Sequence, residues 1–271
     1  MVDFRFKSGS VVRVTPKLAE KWLGKNTHNR RVRARYVQDL ARDMTAGKWV
    51  FNGDSIRFAK DGALMDGQHR LMAIVESGVT VKCHVVYGLD YAVMPSIDTG
   101  RVRTAADMFK LNGERHCNIL SAATGIMFIV ENHGMAALGD KSSGGTRYEL
   151  EGILNAFPEA RDSLGQVVGP YASLKDLAPQ SSWVALHYYL SKKDPSDTEL
   201  FFEQVATGDG VRSNEPIYHL RNRLINFKIK RIKLTRKEFF GLAVKTWNYF
   251  RKGKICKQLQ FPAHEKFPAI T

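Results

Sequence analysis

The chain has 271 residues, of which 44% are hydrophobic, so it can bury the core of one large domain or of two smaller ones. Lys and Arg outnumber Asp and Glu by 41 to 27, which favours a polyanionic partner, above all nucleic acid, over a merely basic globular protein. Three widely spaced cysteines without a CxxC pair argue against a disulfide framework or a zinc site. They favour a reducing cytoplasm, and neither a signal peptide nor a membrane span is expected.

Two helices are predicted between residues 10 and 50. Thr15 followed by Pro16 is typical of a helix start. The next segment repeats apolar residues at three- and four-residue spacing, which predicts an amphipathic helix. Its opposite face is rich in arginine, and this pattern fits either a solvated basic face or phosphate contacts. The nucleic-acid-binding candidates on this face are Arg31 and Arg35.

A hairpin, a short helix and a returning strand are predicted next. Residues 55–65 alternate apolar and polar side chains around the turn signal Asp61–Gly62. Residues 68–76 have helical spacing, and residues 79–89 have the alternation of a strand. The Thr-x-x-Asp pattern at 104–107 predicts the start of a further helix.

The rest of the chain is predicted to be mainly helical. Residues 139–147 indicate a linker or a mobile loop within it. Segment 221–257 contains one acidic residue among many Lys and Arg, and aromatic residues are interleaved with them. Helical spacing favours a core position for these aromatics over a role in base stacking, whereas backbone phosphates would supply counter-charge to the cations. The nucleic-acid-binding candidates here are Lys228, Lys230, Arg231, Lys233 and Arg236.

The stretch DGQHR, residues 66–70, places chemically capable groups at a predicted helix start. Gly67 permits a sharp turn and a close ligand, and the first amides of a helix bind anions. Arg70 suits phosphate oxygens, while His69 can exchange a proton near neutral pH. Asp66 could accept a proton, orient His69 or hold a divalent metal. A plain helix cap with surface side chains is the alternative.

A second polar turn follows the returning strand and could lie beside the first, near the same phosphate. The predicted phosphate-binding residues of the two turns are Gly67, Gln68, Asp98, Thr99, Arg101 and Arg103.

The turn DGQHRL, with the helix and strand that follow it, resembles the ParB/sulfiredoxin superfamily, whose members carry a Gly-x-x-Arg or Gly-x-His-Arg box at this place. The resemblance covers about residues 10–110, including the preceding LARDMTAGKWVFNGDSIRF. It implies a nucleotide site, because partition proteins of this group hydrolyse CTP, sulfiredoxins use ATP and a free-serine kinase uses ADP. Gln68 replaces the sulfiredoxin cysteine, which argues against sulfinic acid repair. The layout is also similar to that of proteins found in bacteriophage genomes.

By this resemblance Gly67, His69 and Arg70 would contact nucleotide phosphates, and Asp66 would be the acid of the kinase-like version. The implied cofactor is a nucleoside triphosphate or diphosphate with Mg²⁺, for which Asp66 is the metal-ligand candidate. The arginine-rich box of the chromosome-partition proteins is not matched in this sequence, so the resemblance does not extend to their sliding-clamp behaviour.

We therefore expect an α+β protein with a ParB/sulfiredoxin-like mixed α/β domain over residues 1–112 and a mainly helical, basic domain over residues 113–271. The expected function is DNA binding, with a nucleotide or a DNA phosphate at the 66–70 turn. Phosphoryl transfer, or phosphodiester or nucleotide hydrolysis, is expected there, as in a phosphotransferase, nuclease or NTPase. The catalytic candidates are Asp66, His69 and Arg70.

Two other functions stay open: a non-catalytic DNA-binding adaptor or regulator with a nucleotide switch, and a structural DNA-binding protein with an inert anion-binding turn. The expected partners are nucleic acid, DNA before RNA, and a nucleotide, without a membrane. A homodimer is left open. The expected location is the cytoplasm, which is that of the host if the protein is phage-encoded.

Overall fold

The computed structural model describes residues 7–27, 29, 31–97, 104–139, 144–262 and 264–271. The chain divides into two compact units, Met1–Val102 and Arg103–Thr271. Over the described residues it is α+β, as expected, with eleven α-helices and one four-stranded mixed sheet. The observed boundary lies before helix Ala105–Leu111 and assigns this helix to the second unit. The boundary predicted from the sequence, after residue 112, assigns it to the first domain.

The first unit combines a small sheet with three helices. Its strands are β1 (Ser10–Val14), β2 (Ser55–Ala59), β3 (Leu64–Asp66) and β4 (Val81–Leu89), and its helices are α1 (Pro16–Leu23), α2 (Ala34–Thr45) and α3 (Gln68–Ser77). The strand order is β1–β4–β2–β3. β1 pairs antiparallel with β4 and β3 antiparallel with β2, whereas β2 and β4 are parallel. A parallel pair needs a crossover, and α3 lies in the connection between β2 and β4.

Local signals in the sequence explain several of these boundaries. The Thr15 hydroxyl accepts a hydrogen bond from the Leu18 N–H, and Pro16 occupies the first helical position of α1. The β2–β3 hairpin turns at residues 61–62, as predicted, with the Asp61 carboxylate accepting a hydrogen bond from the Ala63 N–H. The predicted helix and returning strand around the 66–70 turn are confirmed.

The three helices and the sheet share one hydrophobic core. Val81, Cys83 and Val85 alternate into it from β4, as the period of a strand requires. Trp22 of α1 meets Phe58 of β2 edge to face, with ring centroids 5.4 Å apart. Burial raises the pKa of the Cys83 thiol to about 11, so this cysteine behaves as a core residue.

In the described part of the second unit all regular secondary structure is helical, and the residues after α11 have none. Its α-helices are α4 (Ala105–Leu111), α5 (Cys117–His133), α6 (Arg147–Ala156), α7 (Ala160–Val168), α8 (Gln180–Ser191), α9 (Pro195–Thr207), α10 (Pro216–Ile229) and α11 (Arg236–Arg251). Thr104 and Asp107 form the capping box expected at the start of α4. Of the loop expected at 139–147, residues 140–143 lie outside the described ranges. No helix within those ranges has the length and apolar character needed to cross a bilayer.

Most aromatic residues of the basic C-terminal segment lie in the core of the second unit or pack against it, as helical spacing predicted. Phe239, Phe240 and Trp247 of α11 are fully or almost fully buried. Phe239 meets Trp183 of α8 edge to face, with ring centroids 4.7 Å apart. These rings stabilise the fold and are not available as platforms for nucleotide bases.

Candidate functional site

Gly67 connects β3 to α3 at the predicted anion-binding turn. Its φ is +102°, and a Cβ at this position would come within 3.1 to 3.3 Å of atoms of Ile56 in β2. Both facts disfavour any residue other than glycine at this position. The close packing of the turn on β2 therefore accounts for this glycine even without a ligand.

The Asp66 carboxylate is held by groups of this chain. Oδ1 accepts a hydrogen bond of 2.7 Å from the Gly67 N–H. Oδ2 accepts from Arg57 Nη1 at 2.6 Å and from Arg70 Nη2 at 3.1 Å. Two guanidinium groups around one carboxylate leave this cluster with a net positive charge of about one.

This arrangement does not suit Asp66 as a magnesium ligand. A cation at the carboxylate would have to displace a guanidinium and would then lie beside two positive charges. Among the described residues no three His, Cys, Asp or Glu side chains form a group that could hold a metal ion. In this structure Asp66 is engaged by arginines of its own chain and not by a metal site.

Arg70 is directed toward the sheet. Its Nη2 donates to the Ser55 carbonyl at 2.8 Å as well as to Asp66, and its side chain is 16% exposed. Nη1 is buried and has no hydrogen-bond partner in the described part of the chain. An unpaired guanidinium nitrogen beside a cluster of net positive charge is a feature that an additional anion would satisfy.

Gln68 and His69 are directed toward the N-terminal segment and are both buried. Gln68 Oε1 accepts a hydrogen bond from Asn26 Nδ2 at 3.1 Å. His69 Nε2 accepts from the backbone N–H of Arg33 at 3.0 Å, and its ring meets the Tyr36 ring edge to face at 5.5 Å. A nitrogen that accepts this bond carries no proton. His69 Nε2 therefore has no proton to give to a substrate in this state.

The structure thus divides the DGQHR stretch between two tasks. Asp66 and Arg70 fix the turn to β2, whereas Gln68 and His69 bind Asn26 and the Arg33 backbone to the start of α3. Of the predicted catalytic residues, Asp66 and Arg70 bond to each other, whereas His69 bonds to the backbone that precedes α2.

The segment that Gln68 and His69 hold carries the arginines singled out from the sequence. Arg31 and Arg35 are exposed. Arg33 and Tyr36, in the same stretch, are exposed as well. The buried polar contacts of α3 therefore set the position of an exposed basic segment. The other predicted phosphate-binding residues, Asp98, Thr99, Arg101 and Arg103, lie outside the described residues.

Asn26, Asn29 and Arg57 complete the site and were missed from the sequence. Asn29 Nδ2 donates to the Leu64 carbonyl at 2.6 Å and to Asn26 Oδ1 at 2.7 Å. Arg57 lies opposite Asp66 in the β2–β3 register, so the predicted hairpin could have indicated this pair. No comparable signal marks the two asparagines, because their partners are distant in the sequence.

The C-terminal candidates lie at the connection between α10 and α11, residues 228–236, which we call the cationic tip. All five of them are exposed. Lys228 Nζ forms an ion pair with Asp176 at 3.3 Å, and both side chains are largely exposed. The other four, Lys230, Arg231, Lys233 and Arg236, have no ion-pair partner among the described residues.

No protein-family model, curated protein or solved structure matches this chain. The function is therefore inferred from the charge distribution and from the geometry of its own residues.

Proposed function

We propose that this protein binds DNA through exposed cations, principally those of the cationic tip, and that the 66–70 turn is a structural junction that performs no reaction. The observation that carries the proposal is the group of four exposed cations at residues 230–236 without an acidic partner among the described residues. Such a group attracts the regularly spaced charges of a phosphate backbone.

The charge of the second unit is strongly segregated along the chain, which supports this assignment. Residues 221–271 contain 14 Lys and Arg against 2 acidic residues, whereas residues 103–220 contain 10 against 15. The ordinary explanation, a uniformly basic surface for solubility, predicts no such segregation. A local excess of cations is typical of a surface that meets a polyanion.

The non-catalytic alternative is favoured by the state of the candidate catalytic groups. Both Asp66 oxygens accept hydrogen bonds from this chain, and His69 Nε2 accepts one from a backbone amide. A general acid or base has to reach the reacting atom at hydrogen-bond distance. Here that reach would require breaking contacts that hold β2, α3 and the start of α2 together.

A second candidate, nucleotide binding at the 66–70 turn, is favoured by the unpartnered Nη1 of Arg70 and by the net positive cluster around Asp66. A phosphate group at the start of α3 would meet the helix dipole and these guanidiniums. The resemblance to the ParB/sulfiredoxin superfamily supports the same ligand. In this version the nucleotide would act as a switch and not as a substrate.

DNA binding is tested by fluorescence anisotropy with a labelled random-sequence duplex over a series of salt concentrations. Changing Lys230, Arg231, Lys233 and Arg236 to Gln should flatten the slope of log Kd against log salt by about 3 to 4 units, since each lost phosphate contact removes about 0.9. The control changes four exposed cations outside the tip, with the same loss of charge. These are Lys110, Lys175, Lys193 and Arg212.

The proposal fails if the tip and control variants lower the affinity equally, or if binding does not depend on salt. The second candidate is tested separately by thermal shift with ATP, ADP, CTP and GTP, with and without Mg²⁺. A nucleotide that raises Tm in the wild type but not in Arg70→Lys would support it, because lysine lacks the planar fork of arginine. Absence of any shift would contradict it.

A further inference from the structure

The cationic tip also exposes apolar surface. Ile229, the last residue of α10, is 72% exposed, and Ile232 is 54% exposed. Phe227 and Leu234, in the same short stretch, do pack against the core of the second unit. Some apolar residues of this connection therefore pack against the core. Ile229 and Ile232 do not, and they are exposed to solvent close in sequence to the cations.

The backbone between the two isoleucines has a specific shape. The Ile232 N–H donates to the Phe227 carbonyl at 2.9 Å, and the Arg231 N–H donates to the Lys228 carbonyl at 3.2 Å. These two bonds define a Schellman motif, in which the residue at the Arg231 position is left-handed and is usually glycine. Arg231 has a φ of +51°.

An arginine at this position is informative because this chain uses glycine at comparable helix ends. Gly78 after α3 and Gly208 after α9 are both left-handed. Left-handed non-glycine residues are uncommon and are found more often at functional sites; among the described residues only His116, with a φ of +49°, shares this feature with Arg231. The Arg231 side chain is exposed, as are Ile229 and Ile232 on either side of it in the sequence, so it serves no packing purpose in the core of the second unit.

Duplex DNA fits this combination better than a bilayer or a single strand. The minor groove, about 6 Å wide, admits single side chains, and isoleucine is among the residues that enter it between base steps. An interfacial membrane helix needs an extended apolar face, whereas the exposed apolar groups here are two side chains. Single-stranded sites use exposed aromatic platforms, but in α11 Phe239, Phe240 and Trp247 are buried and Tyr249 and Phe250 are half-buried.

Resting on the proposed DNA binding, we propose that the cationic tip is a wedge. Ile229 and Ile232 enter the minor groove and partly unstack a base step, while Arg231 and the neighbouring lysines contact the flanking phosphates. A wedge of this kind kinks the duplex by about 20 to 90° toward the major groove. The protein would accordingly prefer flexible pyrimidine–purine steps over stiff A-tracts.

The test measures binding and bending together, using a short duplex with a donor and an acceptor dye at its ends. The wild type should raise energy transfer on binding. The double variant Ile229→Ser/Ile232→Ser should still bind, with an unchanged salt slope, but should lose the rise. Ile255→Ser is the matched control, because Ile255 is 68% exposed and lies outside the tip; it should behave as the wild type does.

Binding without any change in energy transfer overturns the wedge and leaves the proposed DNA binding intact. Absence of salt-dependent binding overturns both. Vesicles containing anionic lipid provide a further arm: binding to them that depends on the two isoleucines, without bending of DNA, would assign the tip to a bilayer and contradict the proposal. Circular dichroism of each variant checks that the fold is retained, which is expected because both isoleucines are exposed.

Discussion

The ring of His69 accepts a hydrogen bond of 3.0 Å from the backbone N–H of Arg33, the residue that precedes α2. The imidazole is buried, and Arg33 belongs to an exposed basic segment. His69, a candidate proton donor by its residue type, thus holds the backbone at Arg33 in place. The consequences for stability can be measured.

His69→Ala should lower the free energy of unfolding of the first unit by about 1 to 3 kcal/mol, because it leaves the Arg33 N–H without its acceptor and removes the ring contact with Tyr36. Urea denaturation followed by circular dichroism measures this change. Arg33→Ala is the control, since it keeps the N–H and alters only an exposed side chain, so its effect should stay within about 0.5 kcal/mol. An unaltered midpoint in His69→Ala would contradict the structural role.

Gly67→Ala should be strongly destabilising, by about 1 to 3 kcal/mol, because the new Cβ meets Ile56 and the backbone is left-handed. Gly165→Ala provides the opposite case. Gly165 lies in α7, and its Cβ would meet open space, so alanine should stabilise the protein by about 0.5 to 1 kcal/mol. Thermal unfolding of the two variants should therefore shift Tm in opposite directions. A normal Tm in Gly67→Ala would show that the turn can relax.

Arg231→Gly should make the protein more stable and weaker in DNA binding. Glycine relieves the left-handed strain at φ +51°, which is worth about 1 kcal/mol, while the loss of one phosphate contact lowers the salt slope by about one unit. Arg231→Ala separates the two effects, because it removes the cation and keeps the strain. Urea denaturation and anisotropy on the same samples give both quantities. Unchanged affinity in both variants would remove Arg231 from the interface.

The second unit should lose stability in mild acid because of His187. This side chain is buried, its Nδ1 lies 3.0 Å from Ser163 Oγ, and its Nε2 has no partner among the described residues. Burial lowers the pKa of His187 from 6.5 to about 4. The unfolded chain therefore binds a proton at a higher pH than the folded chain does.

Between about pH 6.5 and pH 4 the unfolding free energy should consequently fall as the pH falls, by up to about 3 kcal/mol from this group. The stability is fully present above pH 6.5. Urea denaturation at pH 7, 5.5 and 4.5 measures the slope, and His187→Gln should flatten it. The same slope in the wild type and in His187→Gln would assign the acid sensitivity to other groups.

Local signals in the sequence predicted much of the fold. The cap at Thr15, the turn at 61–62 and the capping box at 104–107 each involve residues within a few positions of one another, and the structure confirms all three. The helix and strand around the 66–70 turn follow from simple periodicity. The contacts by which the turn holds neighbouring segments in place do not follow from periodicity. Gln68 meets Asn26, and His69 meets Arg33, over 42 and 36 residues respectively.

For the same reason the candidate site was only partly predictable. The residues at 66–70 were identified from their chemistry, but chemistry does not disclose whether a carboxylate faces a ligand or two arginines of its own chain. Arg57 supplies the second arginine from the adjacent strand. At the cationic tip the sequence predicts the candidates from charge density alone, because exposed cations need no partner in the chain; the structure shows that they are exposed, and their binding to nucleic acid stays a prediction.

The pairing of β1 with β4 also governs how the first unit is made. Ser10 lies opposite Val85, so β1, the first strand of this sheet to be synthesised, can pair only after β4, the last one, has been synthesised. Contacts so distant along the chain are slow to form, because a long loop must close before they are gained. A nascent chain that ends before residue 81 would leave Val12 and Val14 without their neighbours, and such a fragment should be prone to aggregate until β4 emerges.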